Sequence, residues 1–207
     1  SVVLTGAAKI GRRARHRVLA CEALDLLVTD APAADVAALA ETGLELGEIL
    51  ARTNVALTEE TEQGRFVSLI FLCLDARANS FSYVNAGHPP GYVLDRNGEP
   101  KVAMQSPSLP LAVLSDASFP VLGPVSLEPG ESVVLVTDGV LEARSPSGVF
   151  FGMDRALQVV RSNYQRPADE MVESVHRAVL EFTELEAPLD DLTIVIAKVQ
   201  ERLDEDI

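Results

Sequence analysis

Short apolar runs joined by hairpin-sized turns fill the middle of this 207-residue chain, and they constrain its fold more than any other feature. Phe66–Asp75 has the pattern of a buried strand, and Ser80–Asn85 has that of a half-buried partner. Gly91–Asp95 and Lys101–Met104 follow, joined by the turn sequence Arg96-Asn97-Gly98-Glu99. These four runs predict an antiparallel meander.

Helical periodicity lies on either side of this strand-rich region. Ala33–Glu60 has helix-like apolar spacing that is interrupted near Gly43 and Gly47, which predicts two helices with a break between them. Met153–Asn163 and Ala168–Phe182 place apolar residues three and four positions apart. Strands with helices segregated before and after them predict an α+β fold, a central antiparallel β-sandwich of two sheets with helices outside.

Two further predicted strands, Ser132–Thr137 and Leu192–Val199, carry acidic residues at one end. The first runs into Asp138, and the second is preceded by Asp190 and Asp191. Carboxylates held at the ends of rigid strands can converge on one hard divalent cation. Asp-Gly is also a common turn dipeptide, and an Asp-Asp pair before a strand is typical of a solvated loop. Metal-assisted hydrolysis is the first hypothesis, beside a purely structural interpretation of each motif.

The charge of the chain argues against two classes of partner. A formal net charge of −14 disfavours nucleic acid and anionic membranes, because both are bound through clustered Lys and Arg. No apolar run approaches the ~20 residues that span a bilayer, and the N-terminus lacks the basic-then-apolar order of a signal peptide. We therefore expect a soluble, cytoplasmic protein that does not insert into membranes. The sequence does not predict the oligomeric state.

Five motifs in a fixed order make the chain similar to a known family. They are Gly64–Leu69, Tyr83–Pro90, Leu127–Glu131, Thr137–Arg144 and Asp190–Thr193. With these motifs the chain resembles the SpoIIE/RsbU-type branch of the PPM metal-dependent serine/threonine phosphatases, over roughly residues 44 to 199. The resemblance implies a four-layer PPM architecture, with the β-sandwich flanked by helices.

The resemblance also implies a mechanism. Two Mn²⁺ or Mg²⁺ ions, held by aspartates, share a hydroxide that attacks the phosphorus of a phosphoserine or phosphothreonine. No catalytic side chain is implied beyond this metal-bound hydroxide. Asp138 matches the ligand of the family's Thr-Asp-Gly motif, and Asp190 matches the metal-binding acid of the terminal Asp-Asp pair. Gly139 would let the backbone turn sharply beside the ion, and Asp191 would support the site or hold a water.

Gly87 and His88 belong to the Ala-Gly-His-Pro-Pro turn, which is a signature of the same family. We interpret both as structural turn residues. A catalytic or substrate-contacting role for His88 stays open as the alternative, since histidine titrates near neutral pH.

The first metal-binding motif of the family is not intact in this chain. Its nearest match is the apolar run Leu24–Thr29, which is followed by Asp30 and then by a segment of small residues. Asp30 is thus a candidate bridging ligand. Ala31 and Pro32 follow where the family has glycine, so Asp30 equally fits an N-cap or turn. The predicted organisation is an N-terminal segment of uncertain role (1–23), a PPM-type phosphatase domain with an atypical N-terminal part (24–200) and an acidic tail (201–207).

Two functions follow from the resemblance. The first is a protein phosphatase whose substrate, by family analogy, is a phosphorylated regulator such as an anti-anti-sigma factor with a STAS domain. The second is a catalytically weak or inactive pseudophosphatase that acts as a partner-binding regulatory module. The missing glycines after Asp30 favour the second function, whereas Asp138 and Asp190 favour the first.

Overall fold

The computed structural model describes residues 2–5, 26–29, 45–60, 65–75, 78–185, 188 and 191–199. Within these ranges, no helix is both long and apolar enough to cross a bilayer. The strands are β1 (Val2–Thr5), β2 (Leu26–Thr29), β3 (Leu69–Asp75), β4 (Ser80–Ala86), β5 (Gly91–Leu94), β6 (Pro100–Met104), β7 (Leu122–Ser126), β8 (Ser132–Val136) and β9 (Ile194–Lys198). The helices are α1 (Leu46–Glu60), α2 (Asp138–Leu141), α3 (Gly152–Ser162) and α4 (Ala168–Thr183).

The strands form two sheets, as the α+β prediction requires. The first sheet has the order β1-β2-β3-β4-β7, in which β1 and β2 are parallel and the other pairs antiparallel. The second sheet has the order β6-β5-β8-β9 and is antiparallel throughout. The chain divides into two compact units, Ser1–His88 with Gln105–Ser126 and Pro89–Met104 with Leu127–Ile207, and each unit contains one sheet.

The predicted meander is wrong, because β4 and β5 belong to different sheets. The chain leaves the first sheet at Gly87, whose φ of +71° is one that residues with a side chain rarely adopt. The N–H of Gly87 donates to the Ser106 hydroxyl at 2.7 Å instead of continuing a strand ladder. Pro89 and Pro90 then lack the backbone N–H that a further ladder bond would need. The turn therefore ends one hairpin and starts another.

Helix α1 begins at Leu46, close to the break predicted near Gly47, and Gly47 itself lies in the first turn of this helix. A Cβ built on Gly47 would lie 2.5 Å from the carbonyl oxygen of Phe119. Glycine is needed there for space, since the loop backbone approaches the helix closely. Residues 33–44, including the predicted break at Gly43, lie outside the described part of the chain.

In the first unit, α1 packs against β3 and β4. Its apolar side chains reach the sheet from one helix face and enclose a core with the loop that precedes β7. The buried members of this core are Ile49, Leu50, Leu69, Phe71, Val84, Ala86, Leu111 and Phe119.

In the second unit, α3 and α4 pack on the sheet through one apolar stripe each. The stripe of α4 repeats every four residues at Met171, Val175 and Val179, as the helical periodicity predicts. Val134 and Val136 of β8 point toward this stripe and belong to the same core. Because every residue of β8 is buried, this strand is a fixed support for whatever follows it.

The turns at the start of β8 and between β5 and β6 are held by side chains. Asp95 accepts the N–H groups of Glu99 at 2.9 Å and Asn97 at 2.8 Å. These bonds hold the pKa of Asp95 below its ordinary value. The buried Tyr164 hydroxyl donates to the Gly130 carbonyl at 3.0 Å, and burial raises the pKa of Tyr164. The predicted turn at residues 96–99 is therefore present, and the Asp95 carboxylate closes it through its two hydrogen bonds.

Asn54, a buried polar residue of α1, anchors the loop of residues 106–120. Its amide nitrogen donates to the carbonyl oxygens of Leu114 at 2.7 Å and Ser115 at 3.2 Å. Its amide oxygen accepts the N–H of Ala112 at 2.8 Å. One fully buried side chain thus satisfies three backbone groups of a loop that lacks regular secondary structure.

Replacing Asn54 with alanine should lower the free energy of unfolding by about 2–4 kcal/mol, because three backbone groups of the loop lose their hydrogen-bond partner at once. Urea denaturation measures the change. The matched control is Asn163→Ala, which removes a single bond to the Val159 carbonyl and should cost about 1 kcal/mol. Equal losses in the two variants would contradict the role assigned to Asn54.

Candidate metal centre

The two strands that carry the predicted acids are neighbours. In the antiparallel register of β8 and β9, Val136 lies opposite Ile194. Beyond the strand ends, the N–H of Thr137 donates to the Thr193 carbonyl at 3.1 Å, and the N–H of Thr193 donates to the Thr137 hydroxyl at 3.0 Å. This pair of bonds, the Thr137–Thr193 clasp, brings the end of one strand to the start of the other.

Asp138 follows the clasp directly and opens α2. Its side chain is exposed, although β8 before it and Val140 after it are buried. The N–H of Gly139 donates to Asp138 Oδ1 at 2.9 Å, which orients the carboxylate. The carbonyl of Asp138 accepts the N–H of Glu142 at 2.7 Å and closes the helical turn. Asp138 is therefore an exposed carboxylate on a fixed backbone.

Gly139 touches the backbone that carries the second acidic motif. A Cβ built on Gly139 would overlap the carbonyl oxygen of Asp191. Gly139 is not among the described glycines with positive φ, so the sharp turn predicted from the sequence is not the reason for a glycine here. The reason is space, because any side chain would push the two strand ends apart.

Of the other acidic residues predicted for the site, the structure describes one. Asp191 is exposed and lies beside Gly139, whereas Asp190 and Asp30 fall outside the described residues. Strand β2 ends at Thr29, so the predicted strand before Asp30 is present. Among the described residues, no three His, Cys, Asp or Glu side chains form a group that could hold a metal ion.

The described part of the centre fits a hard divalent cation. The close approach of Gly139 to the Asp191 carbonyl puts two exposed acidic residues at one edge of the second sheet. Carboxylate and carbonyl oxygens are the donors that Mg²⁺ and Mn²⁺ prefer. Asp138 would contribute its carboxylate, and its orientation by Gly139 reduces the freedom that metal binding would remove.

Gly87 and His88 form a tight turn in the first unit. A Cβ on Gly87 would overlap the ring of Pro110, and the Gly87 backbone has positive φ. His88 is 6% exposed, and its N–H donates to Asn85 Oδ1 at 3.0 Å. These contacts favour the structural interpretation of both residues, and the alternative role of His88 stays a prediction.

Sequence reasoning missed the residues that hold the two site segments. Thr137 was part of a recognised motif, but nothing in the sequence indicates that its hydroxyl bonds across to Thr193. Ser106 likewise gave no signal of its contact with the Gly87 N–H. Asn85, which accepts the His88 N–H, gave one. An Asn two positions before a glycine is typical of a side-chain-closed turn and is the one signal available.

Solved structures with the same architecture are PP2C phosphatase domains. The SiaA-PP2C domain of Pseudomonas aeruginosa superposes with a TM-score of 0.68 at 19% identity, over 81% of this chain and 66% of that chain. The PP2C phosphatase domain of SpoIIE from Bacillus subtilis was solved with a fragment of its regulatory domain. It has a TM-score of 0.63 at 18% identity, over 80% of this chain and 47% of that chain. The fold is therefore that of the PP2C phosphatase domains, and the α+β prediction is confirmed.

Residues 34–200 match the family described as Stage II sporulation protein E (SpoIIE), and the chain belongs to this family. The family resemblance predicted from the sequence motifs is thus confirmed. Protein IcfG of Synechocystis sp. is 28% identical over 138 residues, which are 67% of this chain and 21% of IcfG. Phosphoserine phosphatase RsbU of Bacillus subtilis is 23% identical over 160 residues, 77% of this chain and 47% of RsbU.

The chain therefore spans about a fifth of one curated relative and about half of the other. The similarity covers the region that contains Asp138, Gly139 and the Asp190-Asp191 pair. The assignment of individual metal ligands stays a prediction.

Replacing Thr137 with valine should lower the free energy of unfolding by about 1–2 kcal/mol, because the N–H of Thr193 loses its acceptor. Urea denaturation measures this loss. Thr137→Ser is the matched control, since it keeps the hydroxyl oxygen, and its loss should be clearly smaller. A Thr137→Ser variant as unstable as Thr137→Val would show that the methyl group, not the clasp, matters.

Proposed function

We propose that this chain is a metal-dependent phosphatase that hydrolyses phosphoserine or phosphothreonine on a protein. The observation that carries the proposal is the exposed Asp138 carboxylate at a fixed strand end, next to Gly139, which packs against the backbone carbonyl of Asp191. Membership of the SpoIIE family and similarity to a relative named phosphoserine phosphatase support it.

The proposed metal ligands are Asp138, Asp190 and Asp30, with Mn²⁺ or Mg²⁺ as the cation and two ions in a fully active site. When bound, such ions lower the pKa of water and offset the charge of a transferring phosphoryl group. A SpoIIE phosphatase domain from Bacillus subtilis that was presoaked with Mn has the same fold, with a TM-score of 0.53 at 16% identity. That relative supports the choice of metal.

The residues around Asp138 would orient its carboxylate toward the metal ions. The Thr137–Thr193 clasp fixes the backbone before Asp138, and the Gly139 N–H fixes its carboxylate. Preorganised ligands cost little to order when a cation or substrate binds. Asp191 would then support the site beside Asp138, in agreement with its exposed position next to Gly139.

The proposed substrate is a phosphorylated regulatory protein, for which an anti-anti-sigma factor with a STAS domain is the candidate. A solved neighbour joins RsbU and RsbW domains in one protein, Rv1364c from Mycobacterium tuberculosis, with a TM-score of 0.63 at 19% identity. A chain with a net charge of −14 needs a local positive charge to attract a phosphoprotein. Nucleic acid is not a proposed partner.

The competing function is a pseudophosphatase that binds a partner without turnover. The specific observation in its favour is Ala31-Pro32 after Asp30, where the family has glycines that let backbone approach a metal. This function predicts binding of a phosphoprotein with no metal-dependent release of phosphate.

Replacing Asp138 with asparagine should reduce Mn²⁺-dependent phosphate release from a phosphoserine protein by about 100-fold or more. Residues that merely support metal ligands already contribute roughly 10–100-fold. Asp116→Asn, which removes an exposed acid from a loop, is the matched control and should retain wild-type activity. A titration with Mn²⁺ should show weaker binding by Asp138→Asn than by wild type.

Two outcomes would change the proposal. Undiminished release by Asp138→Asn would remove this residue from the mechanism. A wild-type chain that binds the phosphoprotein but releases no phosphate with Mn²⁺ or Mg²⁺ would establish the pseudophosphatase instead.

A further inference from the structure

A short hairpin, residues 143–151, follows α2 and is held by backbone bonds. The N–H of Phe151 donates to the Ala143 carbonyl at 2.8 Å, and the N–H of Ser145 donates to the Val149 carbonyl at 2.9 Å. Arg144 and Phe150 face each other as a bridged pair between these bonds. The tip turns at Gly148, whose φ is +82°. The 143–151 hairpin is therefore an ordered element and not an irregular loop.

The base of the hairpin is fixed to the helices of the second unit. Phe151 is 2% exposed and packs edge-on against Phe182 of α4, with 5.3 Å between ring centroids. Arg155 of α3 donates to the carbonyl oxygens of Phe150 and Phe151 at 2.9 Å each. The same guanidinium lies over the Phe182 ring. These contacts fix the base of the hairpin to α3 and α4.

The tip displays apolar side chains to solvent. Val149 is 49% exposed and Phe150 is 45% exposed, although Phe151 beside them is buried. Arg144 lies over the Phe150 ring at 4.5 Å from the centroid, so a positive charge and an aromatic face form one surface. Adjacent exposed apolar groups on a rigid element are typical of a binding surface. Arginine and aromatic residues, phenylalanine among them, are also enriched at protein–protein interfaces.

This surface is close to the candidate metal centre along the chain. Six positions separate Arg144 from Asp138, and the first four form the helical turn closed by the Glu142 N–H. The two Cα atoms are therefore at most about 15 Å apart, since a helix rises ~1.5 Å per residue and an extended chain at most ~3.6 Å. A peptide of a few residues spans this distance. Arg144 also supplies positive charge in a chain with a net charge of −14.

We propose that the 143–151 hairpin is a substrate-docking element that contacts the protein substrate beside its phosphorylated residue. Val149 and Phe150 would contact an apolar side chain of the substrate, and Arg144 would attract its negatively charged phosphorylated segment. The proposal rests on the phosphatase function proposed above and extends it to substrate preference. The preferred substrate carries an apolar residue next to the phosphoserine.

The test compares two synthetic phosphoserine peptides that differ only in the flanking residues, leucine in one and glycine in the other. The wild-type chain with Mn²⁺ should have a kcat/KM about tenfold higher for the leucine peptide, mainly through KM. The variant Phe150→Ser should lose most of this preference. Arg144→Ala should lower kcat/KM for both peptides relative to that for para-nitrophenyl phosphate, which is too small to reach the hairpin.

Two control variants separate docking from general effects. Val121→Ser replaces an apolar residue of similar exposure, 42%, in the other compact unit. Arg96→Ala removes an exposed arginine from the β5–β6 turn, next to the start of β8 and not to its Asp138 end. Both should keep the wild-type preference for leucine, and all four variants should unfold near the wild-type temperature.

The outcomes distinguish this proposal from the phosphatase function. An active wild-type chain without preference for the leucine peptide would overturn the docking proposal but not the phosphatase function. A Phe150→Ser variant that keeps the preference would do the same. No release from any of the three substrates overturns the phosphatase function and with it the docking proposal. A wild-type dimer that Phe150→Ser converts to a monomer would make the hairpin an interface between copies, which also overturns docking.

Discussion

Pairing of β8 with β9 is the constraint on which the candidate centre depends. The two strands are far apart in the chain, yet their register continues past the strand ends into the Thr137–Thr193 clasp. Backbone pairing is what converts two separate acidic motifs into neighbours, because neither acid attracts the other. The buried strands must therefore supply the free energy that holds the two acidic motifs side by side.

Glycine serves this fold in two physically different ways. At Gly87 the backbone has positive φ, and the turn between the two hairpins needs that conformation. At Gly139 and Gly47 the backbone is helical, and glycine is needed because another carbonyl approaches where a Cβ would stand. The second use is harder to read from a sequence, since it depends on a contact with residues that are remote in the chain. The close approach at Gly139 is also what ties Asp138 to the second acidic motif.

Local pattern predicted the elements well and their partners poorly. The predicted strand at 132–137 and the predicted helix at 168–182 agree with β8 and α4 to within one residue at either end. The meander was wrong because hydrophobic period does not specify which strands pair, and β4 pairs with the distant β7. Helix α2 was missed because four residues are too few to show a helical period. Asp138 was recognised only through its motif, and the clasp that holds it has no sequence signal.

The segment between β8 and α3 repeats one arrangement at two positions. Asp138 is exposed while Val140, two residues later, is fully buried, and Phe150 is exposed while Phe151 beside it is buried. Each exposed side chain is thus anchored by a neighbour that the core holds in place. Substitution of the exposed member leaves the anchor intact, so Asp138 and Phe150 can each be replaced without loss of the fold. Substitutions in the 143–151 hairpin should therefore leave the strand end that presents Asp138 intact.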